Sequence, residues 1–238
     1  MATILLKFAG PLQSYGTSSH FETRHTDLYP SKSAVLGMVA ACLGYRRHEK
    51  DKLQLLNTLD FAVRVDQVGK LLKDYHTAKK YKKNGVFERT YVTNRYYVED
   101  AVFLVALSHD DSDFIEKIAE ALMNPYFQPF LGRRALPLTV DFFQGVHEET
   151  IVSLLKKYPW QAGKWYKKLH SNQVTIYLDA HLLNESPRMM RKDRPESFDQ
   201  AGRRFNVRYE ASLDVQLDSE YGEHDAFSAL GGEEFVSI

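Results

Sequence analysis

Residues 70–95 read KLLKDYHTAKKYKKNGVFERTYVTNR. The stretch holds eight Lys or Arg against two acids, a net of +6, with Tyr75, Tyr81, Phe87 and Tyr91 interleaved among the charges. Asn84-Gly85, near its middle, is a two-residue turn signal of the kind that closes a hairpin. The simplest geometry is a long basic β-hairpin standing out from a sheet.

The flanks say which sheet. Residues 61–65 and 102–107 read as strands on either side of the insert, and residues 3–8 read as a buried strand that stops at Gly10-Pro11. A polar loop over residues 13–29 follows. Pro30, Ser31 and Ser33 then give helix-start chemistry, Val35, Leu36, Met38, Val39, Cys42 and Leu43 supply apolar positions nearly all round, and Gly44 is a natural stop. Residues 112–124 form a second helix with Phe114, Ile115, Ile118, Ala119 and Leu122 on one stripe. After the Leu131-Gly132-Arg133-Arg134 stretch, residues 136–143 are left to supply a last strand.

This order predicts an α+β, βαββαβ ferredoxin-like domain over residues 1–145 with a thumb-like insert at 70–97. Residues 146–238 make a smaller C-terminal region, with a helix at 148–158, strands at 174–178 and 208–217, and an acidic tail. Residues 183–202, with two prolines and many charges, read as a mobile loop.

Across 238 residues, 44% apolar and 13% aromatic, the chain has enough core-forming material to exclude wholesale disorder. Its 31 basic and 31 acidic side chains cancel, but not locally. Residues 209–238 carry eight acids and no Lys or Arg, so residues 1–208 hold a net of +8. Cys42 is the single cysteine, which excludes an internal disulfide and fits a reducing compartment. The most apolar uncharged run, residues 33–45, is 13 residues long against ~18 for a bilayer span. With no leader pattern at the N-terminus, a cytoplasmic protein without a membrane partner is expected.

Ammonium and guanidinium groups neutralise phosphate while aromatic faces stack on unpaired bases, so the 70–95 insert suits single-stranded nucleic acid. The competing reading is a solvated charged hairpin. A second cluster, residues 188–208, has seven bases against three acids. There Arg203, Arg204 and Arg208 could clamp phosphate, or pair with the acidic tail. Pro30-Ser31-Lys32-Ser33 offers a helix N-terminus to an anion. Trp160 and Trp165, spaced with Lys164, Tyr166, Lys167 and Lys168, are better read as packing than as binding. Nine histidines show no metal-ligand spacing, although His20 and His25 share a loop, so neither metal nor cofactor is expected. Metal-free RNA cleavage would need a base and an acid, for which His76 is the single attractive candidate. Cys42, in an apolar helix, reads as inert core.

Several short motifs together resemble a known family. They run from Gly10-Pro11-Leu12-Gln13-Ser14 with Gly16, Arg24 and Thr26, through Pro30-Ser31-Lys32-Ser33-Ala34-Val35-Leu36-Gly37 and Ala40-Ala41 to Leu43-Gly44. Asp74-Tyr75-His76-Thr77, Thr93-Asn94-Arg95-Tyr96-Tyr97, Asp100-Ala101 with Phe103, and Leu131-Gly132-Arg133-Arg134 follow in order. Arg194-Pro195, Phe198-Asp199, and Arg203-Arg204 with Arg208 close the series. The order and spacing resemble the CasD family of Cascade, the type I-E CRISPR RNA-guided surveillance complex, within the wider RAMP group of RNA-binding proteins. Two departures are Ser31, where the family favours Thr, and Ala135-Leu136, where a Cys is common.

The resemblance implies a RAMP fold whose hairpin acts as a thumb, in a subunit that caps the 5′ handle of the guide RNA (crRNA). Such a subunit seats the backbone and large subunits and meets target DNA indirectly through the complex. By analogy residues 74–95 are the thumb, and Gln13, Ser14, Lys32, Ser33, Arg133 and Arg134 line the handle site. Arg24, Tyr75, His76, Lys79, Lys80, Lys82, Lys83, Arg89 and Arg95 complete the expected RNA-binding set. The role implied is recognition without turnover. The competing reading is a metal-independent endoribonuclease that processes CRISPR repeat RNA through His76, and a weaker one is a general polyanion-binding module.

Overall fold

The computed structural model describes residues 1–18, 22–183 and 189–218. Four strands and two helices build the expected core: β1 (Ala2–Ala9), α1 (Lys32–Cys42), β4 (Asp60–Gln67), β7 (Val102–His109), α3 (Ser112–Met123) and β8 (Phe143–His147). They lie in the order β4-β7-β1-β8 with every neighbouring pair antiparallel. This is the ferredoxin-like arrangement.

The central strands β1 and β7 are apolar at nearly every position because both faces of the sheet are covered there, and alternate side chains enter different cores. From β1, Ile4, Leu6 and Phe8 pack with α1 and α3, whereas Leu5 faces the other way. In β7, Phe103, Val105 and Leu107 share the first core, and Leu104 and Ala106 meet Leu154 and Leu155 of α4 (Ile151–Lys157) on the second.

The sheet continues past β4. Strands β9 (Gln173–Asp179), β11 (Arg204–Gln216) and β10 (Met189–Ser197) extend it to seven, with β10 at the edge. The boundary expected at residues 145/146 falls inside β8, and the C-terminal strands join the same sheet. Two further helices, α2 (Lys50–Leu56) and α5 (Lys164–Leu169), flank it.

Two expectations are corrected. The last core strand lies at 143–147, not 136–143. Residues 131–142 are held in turns, with Leu131 N–H donating to Leu136 O at 2.8 Å and Phe142 N–H to Thr139 O at 3.2 Å. The stretch expected as a mobile loop, 183–202, holds strand β10 at its centre, paired with β11. Pro195 is tolerated there because an edge strand has one side free of ladder bonds. Residues 184–188, including Arg188, lie outside the described residues, as do His20 and the acidic tail from residue 219.

The insert is the hairpin expected. β5 (Lys70–Tyr81) and β6 (Phe87–Glu99) pair in register from Lys70↔Glu99 to Lys80↔Arg89, with a bulge before Tyr81↔Phe87. Gly85 takes φ of +81° at the tip, a conformation costly for any residue with a Cβ. Two short strands, β2 (Leu12–Gln13) and β3 (Thr23–Arg24), pair with the root of β6.

Candidate nucleic-acid interface

Because side chains alternate across a strand, the register sorts the hairpin into two faces. One carries Lys73, Tyr75, Thr77, Lys79 and Tyr81 from β5, opposite Tyr96, Asn94, Val92 and Thr90 of β6. Phe87 joins it, its ring edge-on to Tyr81 at 6.0 Å. Tyr75, Tyr81 and Phe87 are 65%, 55% and 52% exposed. Three accessible rings, the Tyr81–Phe87 pair set apart from Tyr75 by Lys79, form a stacking and charge platform.

The other face is partly committed to itself. Arg89 lies over the Tyr91 ring at 4.3 Å and donates to its hydroxyl. Lys80 pairs with Glu88 at 2.8 Å, His76 is exposed opposite Thr93, and Asp74 is opposite Arg95. By contrast, Lys73, Lys79, Lys82 and Lys83 are exposed, and among the described residues none is in an ion pair.

At the root, Gly132 lets a loop meet a strand. A Cβ there would stand 1.7 Å from Ser14 O, and its φ is +85°. This approach lays Arg133 across β6, where its guanidinium donates to Tyr96 O at 3.1 Å and Arg24 O at 3.2 Å and covers the Tyr97 ring at 4.3 Å. Arg133 Nη1 is buried without a partner, an orphaned donor beside the exposed Arg24 and Arg134. His25 stacks on Tyr96 at 5.4 Å. Basic and aromatic groups thus run from root to tip.

Other expected site residues are turned inward. Gln13 is fully buried, donating to Ala101 O at 2.8 Å and accepting from the Tyr15 hydroxyl. Ser14 is buried and donates to Tyr96 O at 3.3 Å, and Ser33 Oγ lies 3.2 Å from Ser31 Oγ. Lys32 is 6% exposed; its ammonium reaches Asp179 at 2.8 Å and Leu59 O at 2.7 Å. The start of α1 does hold an anion, but a protein one: Lys32 N–H donates to the Asp193 carboxylate at 2.9 Å. The reading of Pro30-Ser31-Lys32-Ser33 as a phosphate site is corrected accordingly, because its donors already have a carboxylate.

Two arginines of the second basic cluster are likewise consumed. Arg208 meets Asp193 at 2.7 Å, Asp179 at 3.2 Å and also Glu210. Arg191 pairs with Asp27 at 2.9 Å and Glu210 at 3.2 Å. Burial opposes the charge on Arg208, yet the surrounding carboxylates of Asp193, Glu210 and Asp179 outweigh it and hold the guanidinium above its usual range. Arg208 is therefore a structural cation, while Arg203 and Arg204 stay exposed.

Asp60, Asp179 and His181 bring ligand atoms within 4.8 Å of one another. Asp179 already answers Lys32 and Arg208, two cations that disfavour a third. Sequence reasoning missed Lys73, Tyr96 and His25 as parts of the hairpin surface. Strand alternation carries the signal for Lys73, but the packing of His25 on Tyr96 is long-range.

Comparison with known proteins bears on most of the chain. Residues 3–209 match the family described as CRISPR-associated protein (Cas_Cas5). The CRISPR system Cascade subunit CasD of Escherichia coli (strain K12) is 35% identical over 158 residues, covering 60% of this chain and 70% of that one. A chain in the structure of a CRISPR RNA-guided surveillance complex superposes with a TM-score of 0.75 at 30% identity, over 93% of this chain and 95% of that one. A crystal structure of a Cas protein gives a TM-score of 0.66 at 29% identity, over 90% and 95% of the two chains.

Proposed function

Since this chain belongs to the CRISPR-associated Cas5 family, we propose that it is the RNA-binding subunit of a Cascade complex and that its hairpin grips the unpaired 5′ handle of the guide RNA. The observation that carries this reading is the hairpin face on which exposed Tyr75, Tyr81 and Phe87 alternate with Lys73 and Lys79. Every base has a face to stack, whereas every phosphate needs a cation, so an extended strand of alternating rings and lysines fits an unpaired oligonucleotide. Arg24, Arg95, Arg133 and Arg134 at the root continue the positive surface toward the sheet.

Sequence in such complexes is read by base pairing, and the protein fixes geometry. The subunit accordingly holds the handle and seats the backbone and large subunits, in the cytoplasm, without turning over RNA. The register supports a non-catalytic role. General acid–base cleavage needs two proton-transfer groups converging on one phosphate, but the groups on the His76 face that could join it are already engaged, Asp74 set opposite Arg95 and Tyr91 held by Arg89.

The test is a salt titration of handle RNA against scrambled RNA, using the wild type and the combined Lys79→Ala, Lys80→Ala, Lys82→Ala and Lys83→Ala variant. The variant should bind the handle more weakly, and its log–log salt slope should flatten by roughly 0.7 for each phosphate that no longer meets a lysine. Unchanged affinity and slope would remove the hairpin from the RNA path. RNA incubated with wild type in EDTA should stay intact; a discrete cut abolished by His76→Ala would transfer the protein to the nuclease reading.

A further inference from the structure

Outside the hairpin, a further cationic surface lies on α5. Residues 150–178 contain five lysines and no Asp or Glu. Lys157 pairs with Glu149 at 3.3 Å, but among the described residues Lys164, Lys167 and Lys168 are in no ion pair. These three sit on α5 around Trp165, which is 56% exposed, while the neighbouring Trp160 is 4% exposed. An exposed indole on a helix that carries three lysines is unusual on a free surface, since tryptophan is among the most buried residues on average; one of the three, Lys167, has its ammonium over the Trp160 ring at 5.7 Å.

The chain itself arrives at this place. Leu217 is buried against Trp160, Tyr166 and Val174, and it is pinned by its N–H to Asn172 O at 3.0 Å and by its carbonyl to the Asn172 amide. The next residues in sequence, 219–238, carry Glu220, Glu223, Asp225, Glu233 and Glu234 with no Lys or Arg, together with Tyr221, Phe227, Leu230 and Phe235. They lie beyond the stretch matched by the family.

We propose that the α5 surface formed by Lys164, Trp165, Lys167 and Lys168 is the docking site of the chain's own acidic segment 219–238. Three observations carry this. The charges are opposite and each unmixed, the segment departs from a residue packed on the Tyr166 ring of α5 itself, and the exposed indole has apolar residues of the segment to meet. The six-residue helix spans ~9 Å, so the first acids of the segment, Glu220 to Asp225, reach its lysines within ~25 Å of extended chain from Leu217, whereas the thumb tip stands ~40 Å along β5 from its root. Tethering of this kind gives effective concentrations in the millimolar range, enough for weak ionic contacts to persist. Docked, the segment occupies the α5 lysines as a built-in polyanion and leaves the hairpin as the open cationic surface.

Because Trp160 and Trp165 are the only two tryptophans and the first is buried, acrylamide quenching reads Trp165. In the full chain at low salt Trp165 should be protected. Deletion of residues 219–238 should abolish that protection and shift the emission to the red, and so should high salt. The variant Glu220→Gln, Glu223→Gln, Asp225→Asn should do the same without shortening the chain. Carbodiimide, which joins carboxylates to amines in contact, should give intramolecular links from Glu220, Glu223 or Asp225 to Lys164, Lys167 or Lys168. Equal quenching of full and shortened chains, or links confined to the hairpin lysines, would overturn the proposal. Protection of Trp165 that appears only on adding RNA would overturn it too, by assigning the surface to nucleic acid.

Discussion

The hairpin and the junction of α1 with β9, β10 and β11 are both rich in cations, and they use them in opposite ways. On the hairpin, Lys73, Lys79, Lys82 and Lys83 face solvent without ion-pair partners among the described residues. At the junction, Lys32, Arg191 and Arg208 are matched by Asp27, Asp179, Asp193 and Glu210 and are largely withdrawn from water. The cost of dehydrating a charge explains the division. A buried cation needs carboxylates and carbonyls around it, whereas an exposed lysine can remain hydrated until a phosphate replaces its counterions. Positive charge in a sequence therefore stays available to a phosphate only where the fold supplies no carboxylate.

The largest effect should come from breaking the matched set. Arg208→Ala leaves Asp193, Asp179 and Glu210 buried with one cation fewer, and should cost about 3–5 kcal/mol in urea unfolding. Cys42 gives a second readout. It is 2% exposed, and burial pushes its thiol up to about 11, so alkylation waits for unfolding and should be much faster in the variant. Below its melting temperature the variant should still bind handle RNA as the wild type does. A stable Arg208→Ala protein with weakened RNA affinity would reverse the assignment and make Arg208 a phosphate ligand.

The same contrast shows how much could be read from sequence. The hairpin is local: its turn, its alternation and its charge all lie within 30 consecutive residues, and β1, β4, β7 and both core helices are equally local patterns of apolar residues. The junction is not. Lys32 and Asp179 are 147 residues apart, and Lys32 and Asp193 are 161 apart, so nothing near Lys32 in sequence marks its ammonium as taken. For the same reason β10 reads as a loop: Asp193 is fully buried, at a position usually apolar, because Arg208 and the Lys32 N–H at the start of α1 meet it there. Gln13 is hidden similarly, its amide answering the Ala101 carbonyl 88 residues away.

On the hairpin, aromatic and ionic contributions can be separated. Tyr75→Ala removes the most exposed of the three rings on the lysine-bearing face and should cost about 1–3 kcal/mol of handle binding. The salt slope should hold steady because every phosphate keeps its cation, and stability should change by less than about 0.5 kcal/mol at so exposed a site. Fluorescence anisotropy across a salt series reads both quantities. A flattened slope with unchanged affinity at low salt would mean that Tyr75 orients a lysine and stacks on nothing.

The smallest effect belongs to an ion pair with neither burial nor RNA to give it weight. Lys7 donates to Asp141 at 2.7 Å, yet the Asp141 side chain is 55% exposed. The Lys7 ammonium holds the Asp141 carboxyl below its ordinary range. A carboxylate whose folded pKa is depressed adds stability above its unfolded pKa and loses it as pH falls through the folded one. Asp141→Asn should therefore cost at most about 1 kcal/mol near neutrality, and the gap to wild type should close in urea melts taken below the ordinary aspartate range. A cost approaching that of Arg208→Ala would mean that partner geometry, rather than withdrawal from water, separates the structural cations from the available ones.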